Sequence, residues 1–390
     1  ASIIDFTFNG IAGPLGRPIA LFTFALQSHS WPHAPELLLN WNILIHLLNG
    51  ALVTWLTLVL SQLITSDNKA KPEIALVVGS IWLLSPILVS SSLFIIQRMT
   101  TLMATFIFTG LIVYTKVRIS TKDTPEKHLI KLSITVTFFT LLAAFTKENG
   151  ALLPLYILAL ETTLFANSKF NCTHITWRLW KKTFLFIPLT LIIIYLIHLV
   201  PYSDNTILLR GFTADERIAL QGIILWEYLI NGFLPRPSSI GPFHDTYLPL
   251  SSSKYLLGLC LFGFSVSLTF LAFFFQKKAP LLCFAILWFF LGHILESTTI
   301  PLELYFEHRN YVPLFGPIFA IIAYALNRQN FQALTLSCIA LYLVMLSSIT
   351  YMTTSLSGKP ILAAEIWFKD TPGSVRATSY LVKVLQNQND

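Results

Sequence analysis

Apolar residues run through this chain in long unbroken blocks, separated by short polar stretches. Ten blocks read as membrane-spanning helices, at about 38–62, 74–96, 99–116, 129–145, 150–166, 183–200, 254–275, 280–296, 312–327 and 331–350. Each is close to the length that crosses roughly 30 Å of hydrocarbon. The blocks are continuous rather than alternating, which excludes the strands of a β-barrel. The pattern predicts an all-α polytopic membrane protein. An eleventh block, 219–234, carries Glu227 and runs into "NGFLPRP". A carboxylate in mid-span is costly, and Pro235 and Pro237 stop a helix early. This block is therefore read as a re-entrant or in-plane helix.

Nothing before Leu37 is long and apolar enough to span, so one further helix is expected ahead of Ala1, making about eleven. Residues 1–350 form the expected membrane domain. Residues 351–390 form an amphipathic tail, helix-like after Pro372, which fits the start of a helical-repeat array. No internal repeat of 20–50 residues is seen.

Composition agrees with the pattern. The 390 residues are 54% hydrophobic, with a mean hydropathy of +0.67, more apolar surface than a soluble domain could cover. The net charge of +7 is mostly Lys and Arg beside the blocks, and it points to membrane orientation rather than to nucleic acid. When the ten blocks alternate sides, one face holds 14 of the 26 basic residues and 5 of the 19 acids. That face is expected to be cytoplasmic. Cys172, Cys260, Cys283 and Cys338 show no metal or redox spacing and read as small apolar side chains.

The opposite face collects the unusual sequence. Only 12% of the chain is charged, yet Glu296, Glu303, Glu307 and Arg309 fall within fourteen residues, with His308 among them and His293 just before. In "FEHRN", Arg309 can clamp a phosphate in a bidentate way and His308 can donate beside it. The plain alternative is an interfacial ion pair between Glu307 and Arg309. In "TKENG", Lys147 reads equally as a phosphate ligand or as a snorkelling cap beside Glu148. "QRMT" has almost no loop, which is expected to force Arg98 to the membrane surface beside Gln97. "GPLGRP" folds a turn around Arg17 but lacks the flanking strand and GKS/T of a nucleotide loop. "FHDTYLP" sets His244 beside Asp245, which is a candidate base or a turn aspartate. His293 and Glu296 are spaced for one helix face, but no second His/Asp pair completes a metal site, and no HExxH, GxSxG or CxxC occurs. Asn310 completes the polar rim.

Six segments in order carry a resemblance: "AGPLGRPIALFTFAL", "NILIHLLNG", "FIIQRMTTL", "FTKENGALLPL", "LPRPSSIGPFHD" and "GHILESTTIPLELYFEHRNYVPL". Together they resemble bacterial inner-membrane glycosyltransferases of the GT-C kind, often bearing C-terminal tetratricopeptide repeats. These are similar to the animal transmembrane-and-tetratricopeptide O-mannosyltransferases and to the pilin arabinofuranosyltransferases. The resemblance implies transfer of one sugar from a polyprenyl-phosphate carrier to an acceptor hydroxyl on the periplasmic side, the acceptor being a protein Ser/Thr or a glycan. It implies basic residues on the lipid phosphate, for which Arg309, His308, Arg98, Lys147 and Arg17 are available. It also implies a carboxylate base just after the first transmembrane helix. That position precedes Ala1, so Asp5, Asp245 and Glu303 are the base candidates within the chain. No cofactor is implied. A transporter of a lipid-linked sugar and a scaffold protein are the other classes. The first should show polar residues at mid-bilayer, and the second should depend on the tail.

Overall fold

A computed structural model describes residues 2–64, 69–120, 124–166, 173–198, 211–236, 241–245, 247–248, 250–327 and 332–387. Cys172, Pro237 and much of the 236–249 loop lie outside these residues. Every regular element among the described residues is helical.

The helices are α1 (Ile3–Asn9), α2 (Pro18–Ala25), α3 (Pro35–Ser61), α4 (Pro72–Leu84), α5 (Pro86–Leu93), α6 (Arg98–Ile119), α7 (Pro125–Ala144) and α8 (Leu153–Thr162). They continue as α9 (His174–Lys181), α10 (Ile187–His198), α11 (Ala214–Phe233), α12 (Ser252–Phe275), α13 (Pro280–Gly292), α14 (Phe315–Asn327), α15 (Gln332–Ser357), α16 (Pro360–Asp370) and α17 (Val375–Gln386). Proline starts α2, α3, α4, α5, α7, α13 and α16, where its missing N–H costs nothing.

Six helices among the described residues are long and apolar enough to cross a membrane: Pro35–Ser61, Ile95–Ile119, Pro125–Ala144, Ile175–His198, Ser252–Phe275 and Ala333–Ser357. The ten expected spans are thus too many. The block at 74–96 is two helices, α4 and α5, bent by 55° at Ser85-Pro86; taken as one broken span it makes seven. Proline removes a helical hydrogen bond and holds the residue before it extended, as the ψ of 118° at Ser85 shows. The blocks at 150–166, 280–296 and 312–327 contain helices of only 10, 13 and 13 residues. At 1.5 Å per residue none reaches about 30 Å. Their apolarity has another cause. Leu153 to Leu160 of α8 are all buried, so protein surrounds them where lipid was expected. By contrast α12 and α15 turn Leu256, Phe264, Phe270, Leu341 and Val344 outward, as a lipid-facing surface does.

Helix α11 is not among the spanning helices. It lies lengthwise beside α12 in the same direction: Asp215 meets Tyr255, Gly222 meets Gly258 and Trp226 meets Ser265. The contact between the two glycines is too close for a Cβ on either. This packing is not that of an in-plane helix. After Phe233 the chain folds back and returns Tyr247 to Glu227. The tail contains two helices, α16 and α17, packed against each other, where one was expected.

Candidate functional site

The polar centre is built on the irregular segment 293–314 between the two short helices α13 and α14. Backbone polar groups at this depth need partners, and side chains from distant helices supply them. Arg217 of α11 donates to the carbonyls of Glu296, Thr298 and Leu302 at 2.8, 2.8 and 2.5 Å. Gln221 donates to Leu304, and Arg309 closes the same turn through the carbonyls of Glu303 and Leu304. Two indoles, Trp82 and Trp288, donate to the successive carbonyls of Tyr311 and Val312. The Tyr311 hydroxyl meets His46 Nδ1 at 2.7 Å and Asn49 at 3.2 Å. Sequence reading missed all of these supports. Arg217 carried the clearest signal, a cation set directly before the apolar run of α11.

Onto this frame the fold brings residues from three loops. Lys147 Nζ lies 3.0 Å from Glu296 Oε1, and Arg309 Nε lies 3.8 Å from Glu296 Oε2. Lys147 also donates to Thr100 Oγ1 at 3.2 Å, which donates to Gln97 Oε1. Arg17 pairs with Glu148 at 2.7 Å, and its charge, like those of Lys147 and Arg309, acts on His308. The "GPLGRP" turn aims Arg17 inward: Gly13, Gly16 and Arg17 have φ of 117°, 71° and 50°. The Ile19 amide bonds Phe145 O, tying this turn to the end of α7. Three cations thus face two carboxylates, leaving one positive charge in excess.

Electrostatics separate the members. Burial alone would raise the Glu296 carboxyl, but Lys147 and Arg309 outweigh it and hold it well below the usual carboxylate range. Burial lowers the Lys147 ammonium, with Glu296 opposing. Burial holds His308 neutral, reinforced by the Lys147 charge, and lowers His293 to about 3. His293 stacks on Tyr228, and neither ring nitrogen has a hydrogen-bond partner. Glu296 Oε2, Arg309 Nε, Ser297 Oγ and Asn310 Oδ1 are also buried without one. Such atoms keep capacity for a polar ligand or water.

The remaining candidates lie elsewhere. Arg98 is 2% exposed, buried within the protein at the start of α6; Asn42, Leu38 O and Thr23 O take its guanidinium. Arg309 pairs with Glu296 rather than with Glu307. Glu307 instead accepts from the Gly241 amide at 3.2 Å, near Ser90, and burial pushes its carboxyl up to about 8. Asp245 caps the start of α17 through Ser374 and the Arg376 amide, and Glu303 pairs with the Arg376 side chain at 2.8 Å. His244 lies tilted against Tyr305, with ring centres 4.1 Å apart, and burial lowers it to about 4. Asp5 is exposed on α1, where it holds Asn9. Among the described residues no three His, Cys, Asp or Glu side chains are grouped to hold a metal.

Beside Gly16 and Pro18 an apolar groove of about 700 Å³ runs along α1 and α2, lined by Ile3, Leu15, Phe22 and Phe145. Gly16 and Pro18, the chain neighbours of Arg17, thus line the groove, while the Arg17 side chain turns to Glu148 in the basic cluster. That arrangement suits an anion carried on an apolar chain. Comparison with models of protein families, with curated proteins and with solved structures returns no match.

Proposed function

We propose that this chain is a GT-C-type membrane glycosyltransferase. It moves a monosaccharide from a polyprenyl-phosphate carrier to an acceptor hydroxyl, a protein Ser/Thr such as one on pilin, at the periplasmic face of a bacterial inner membrane. The observation that carries the reading is the convergence of Arg17, Lys147, His308 and Arg309 beside an apolar groove. The isoprenoid tail takes the groove and the phosphate takes the excess positive charge. The acceptor oxygen forms a bond to the anomeric carbon while the bond from that carbon to the phosphate oxygen breaks. Polyprenyl phosphate leaves, stabilised by the cations. The hydroxyl proton passes to a carboxylate base; Glu303, Asp245 and Asp5 are the candidates named within the chain, and each lies outside the cationic cluster.

The bent pair α4–α5 also fits a transporter of the same lipid-linked sugar, since transporters use discontinuous helices. Transfer of label from a polyprenyl-phosphate sugar to acceptor, by wild type and by His308→Ala, separates the readings. Among the described residues the His308 side chain makes no hydrogen bond, and its main-chain carbonyl still accepts from the Tyr311 amide in the variant, so its loss tests the donor site. Transfer by wild type and at least about tenfold slower transfer by the variant are expected. Donor binding without transfer to any acceptor offered would overturn the enzyme reading.

A further inference from the structure

A second cavity, of about 440 Å³, lies between α11, the 241–248 segment, Tyr305 and α16. Its size is that of a small-molecule site. Its chemistry differs from that of the cationic cluster. Aromatic rings form much of the wall: Tyr305 stacks near Tyr247 with an interplanar angle of 20°, and Phe243 meets Trp367 edge-on at 5.8 Å. The Glu227 and Asp370 carboxylates share this wall with the Asn231 amide and the Arg236 guanidinium. Glu227 accepts from the Tyr247 hydroxyl at 2.5 Å, and Asn231 donates to the Tyr305 hydroxyl at 3.2 Å. His244 Nε2 is buried without a hydrogen-bond partner.

Flat apolar faces and acceptor groups in one small cavity suit a ligand with C–H faces and several hydroxyls. Two carboxylates outnumber the one guanidinium of Arg236 in this lining, which therefore suits a phosphate less well than the other cluster does. We infer that the cavity walled by Tyr305, Trp367, Glu227 and Asn231 binds a sugar ring. Glu227 and Asn231 would take its hydroxyls and the aromatic rings would cover its apolar face.

The cavity and the cationic cluster are neighbours. Tyr228 lies between them, its ring centre 4.7 Å from that of Tyr305 and 5.4 Å from that of His293. Two sources of the ring fit that position: the sugar of a lipid-linked donor, or a glycan acceptor. The sugar assignment extends the transferase reading without requiring it, because a transporter would hold the same ring.

Binding measured on the full chain in nanodiscs tests this. The probes are polyprenyl phosphate, polyprenyl-phosphate mannose, and a panel of free mono- and disaccharides. The variants are Glu227→Gln, Trp367→Ala and Asn231→Ala, each checked for its thermal transition. If the ring comes from the donor, the mannose-bearing lipid binds tighter than bare polyprenyl phosphate, and Glu227→Gln removes about tenfold of that difference. If it comes from an acceptor, a free saccharide binds saturably and the variants weaken it about tenfold while both lipids bind as before. Either result supports the site. It is overturned if no saccharide binds saturably and the sugar on the lipid adds no affinity. It is equally overturned if folded Trp367→Ala and Asn231→Ala proteins match wild type throughout. Sugar binding that persists without any transfer would retire the transferase reading and leave this site standing.

Discussion

Lys147 Nζ and Glu296 Oε1 lie 3.0 Å apart, and both side chains are at most a tenth exposed. Two buried charges from elements far apart in sequence neutralise each other at the centre of the cationic cluster. Removing one leaves the other buried without compensation, at about 3–5 kcal/mol. Glu296→Gln should therefore lower the thermal midpoint strongly. Lys147→Met combined with Glu296→Gln should recover part of the loss, because the pair is then absent rather than broken. A double-mutant cycle of unfolding midpoints in detergent checks this, and additive losses would argue against the coupling.

Gly13 and Gly16 make a controlled comparison. Both have positive φ, so alanine strains either by about 1 kcal/mol. Only at Gly13 does a Cβ meet Glu148 Oε1, at 2.5 Å, whereas at Gly16 it meets nothing within 4 Å. Gly13→Ala should displace the Arg17–Glu148 pair and reduce donor binding, and Gly16→Ala, which borders the groove but places its Cβ in open space, should reduce it less. Equal donor affinity in the two variants would mean that the pair plays no part in the site.

Glu307 should make stability depend on pH in the opposite sense to a paired carboxylate. Burial pushes its carboxyl from 4.5 up to about 8. The folded protein then keeps a proton that the unfolded chain gives up. The resulting stability is fully present below pH 4.5 and is lost as pH rises through 8. Glu296, held low, works the other way and loses its contribution as pH falls below the carboxylate range. Unfolding midpoints between pH 5 and pH 9 should fall for wild type and flatten for Glu307→Gln. A slope unchanged by that substitution would refute the assignment.

Arg217 holds three carbonyls of the 296–302 stretch. Arg217→Met keeps the apolar contacts and leaves those acceptors orphaned, each at about 1–3 kcal/mol. Limited proteolysis should then cut within 296–306 in the variant and spare that stretch in wild type. The Glu296–Lys147 pair should loosen with it. Protection equal to wild type would show that the segment is held by other contacts.

The sequence by itself determined that the chain is helical and apolar enough to live in a membrane. Continuous apolar blocks and proline starts are local properties, and they place α3, α6, α7, α12 and α15 close to where the structure has them. Local sequence could not tell a helix wrapped by protein from one wrapped by lipid. Both are apolar on all sides, so α8, α13 and α14 read as spans. The polar rim was legible as a set, because charge is rare in this chain and so stands out. Who meets whom was not. Glu296 finds Lys147 and Arg309, and Arg98 turns inward to Asn42. Those choices are made by long-range packing: α11 gripping an irregular segment, two indoles holding its backbone, and a glycine turn delivering Arg17 to Glu148. A buried charge takes whichever partner the fold brings within reach, and only the tertiary structure sets that reach.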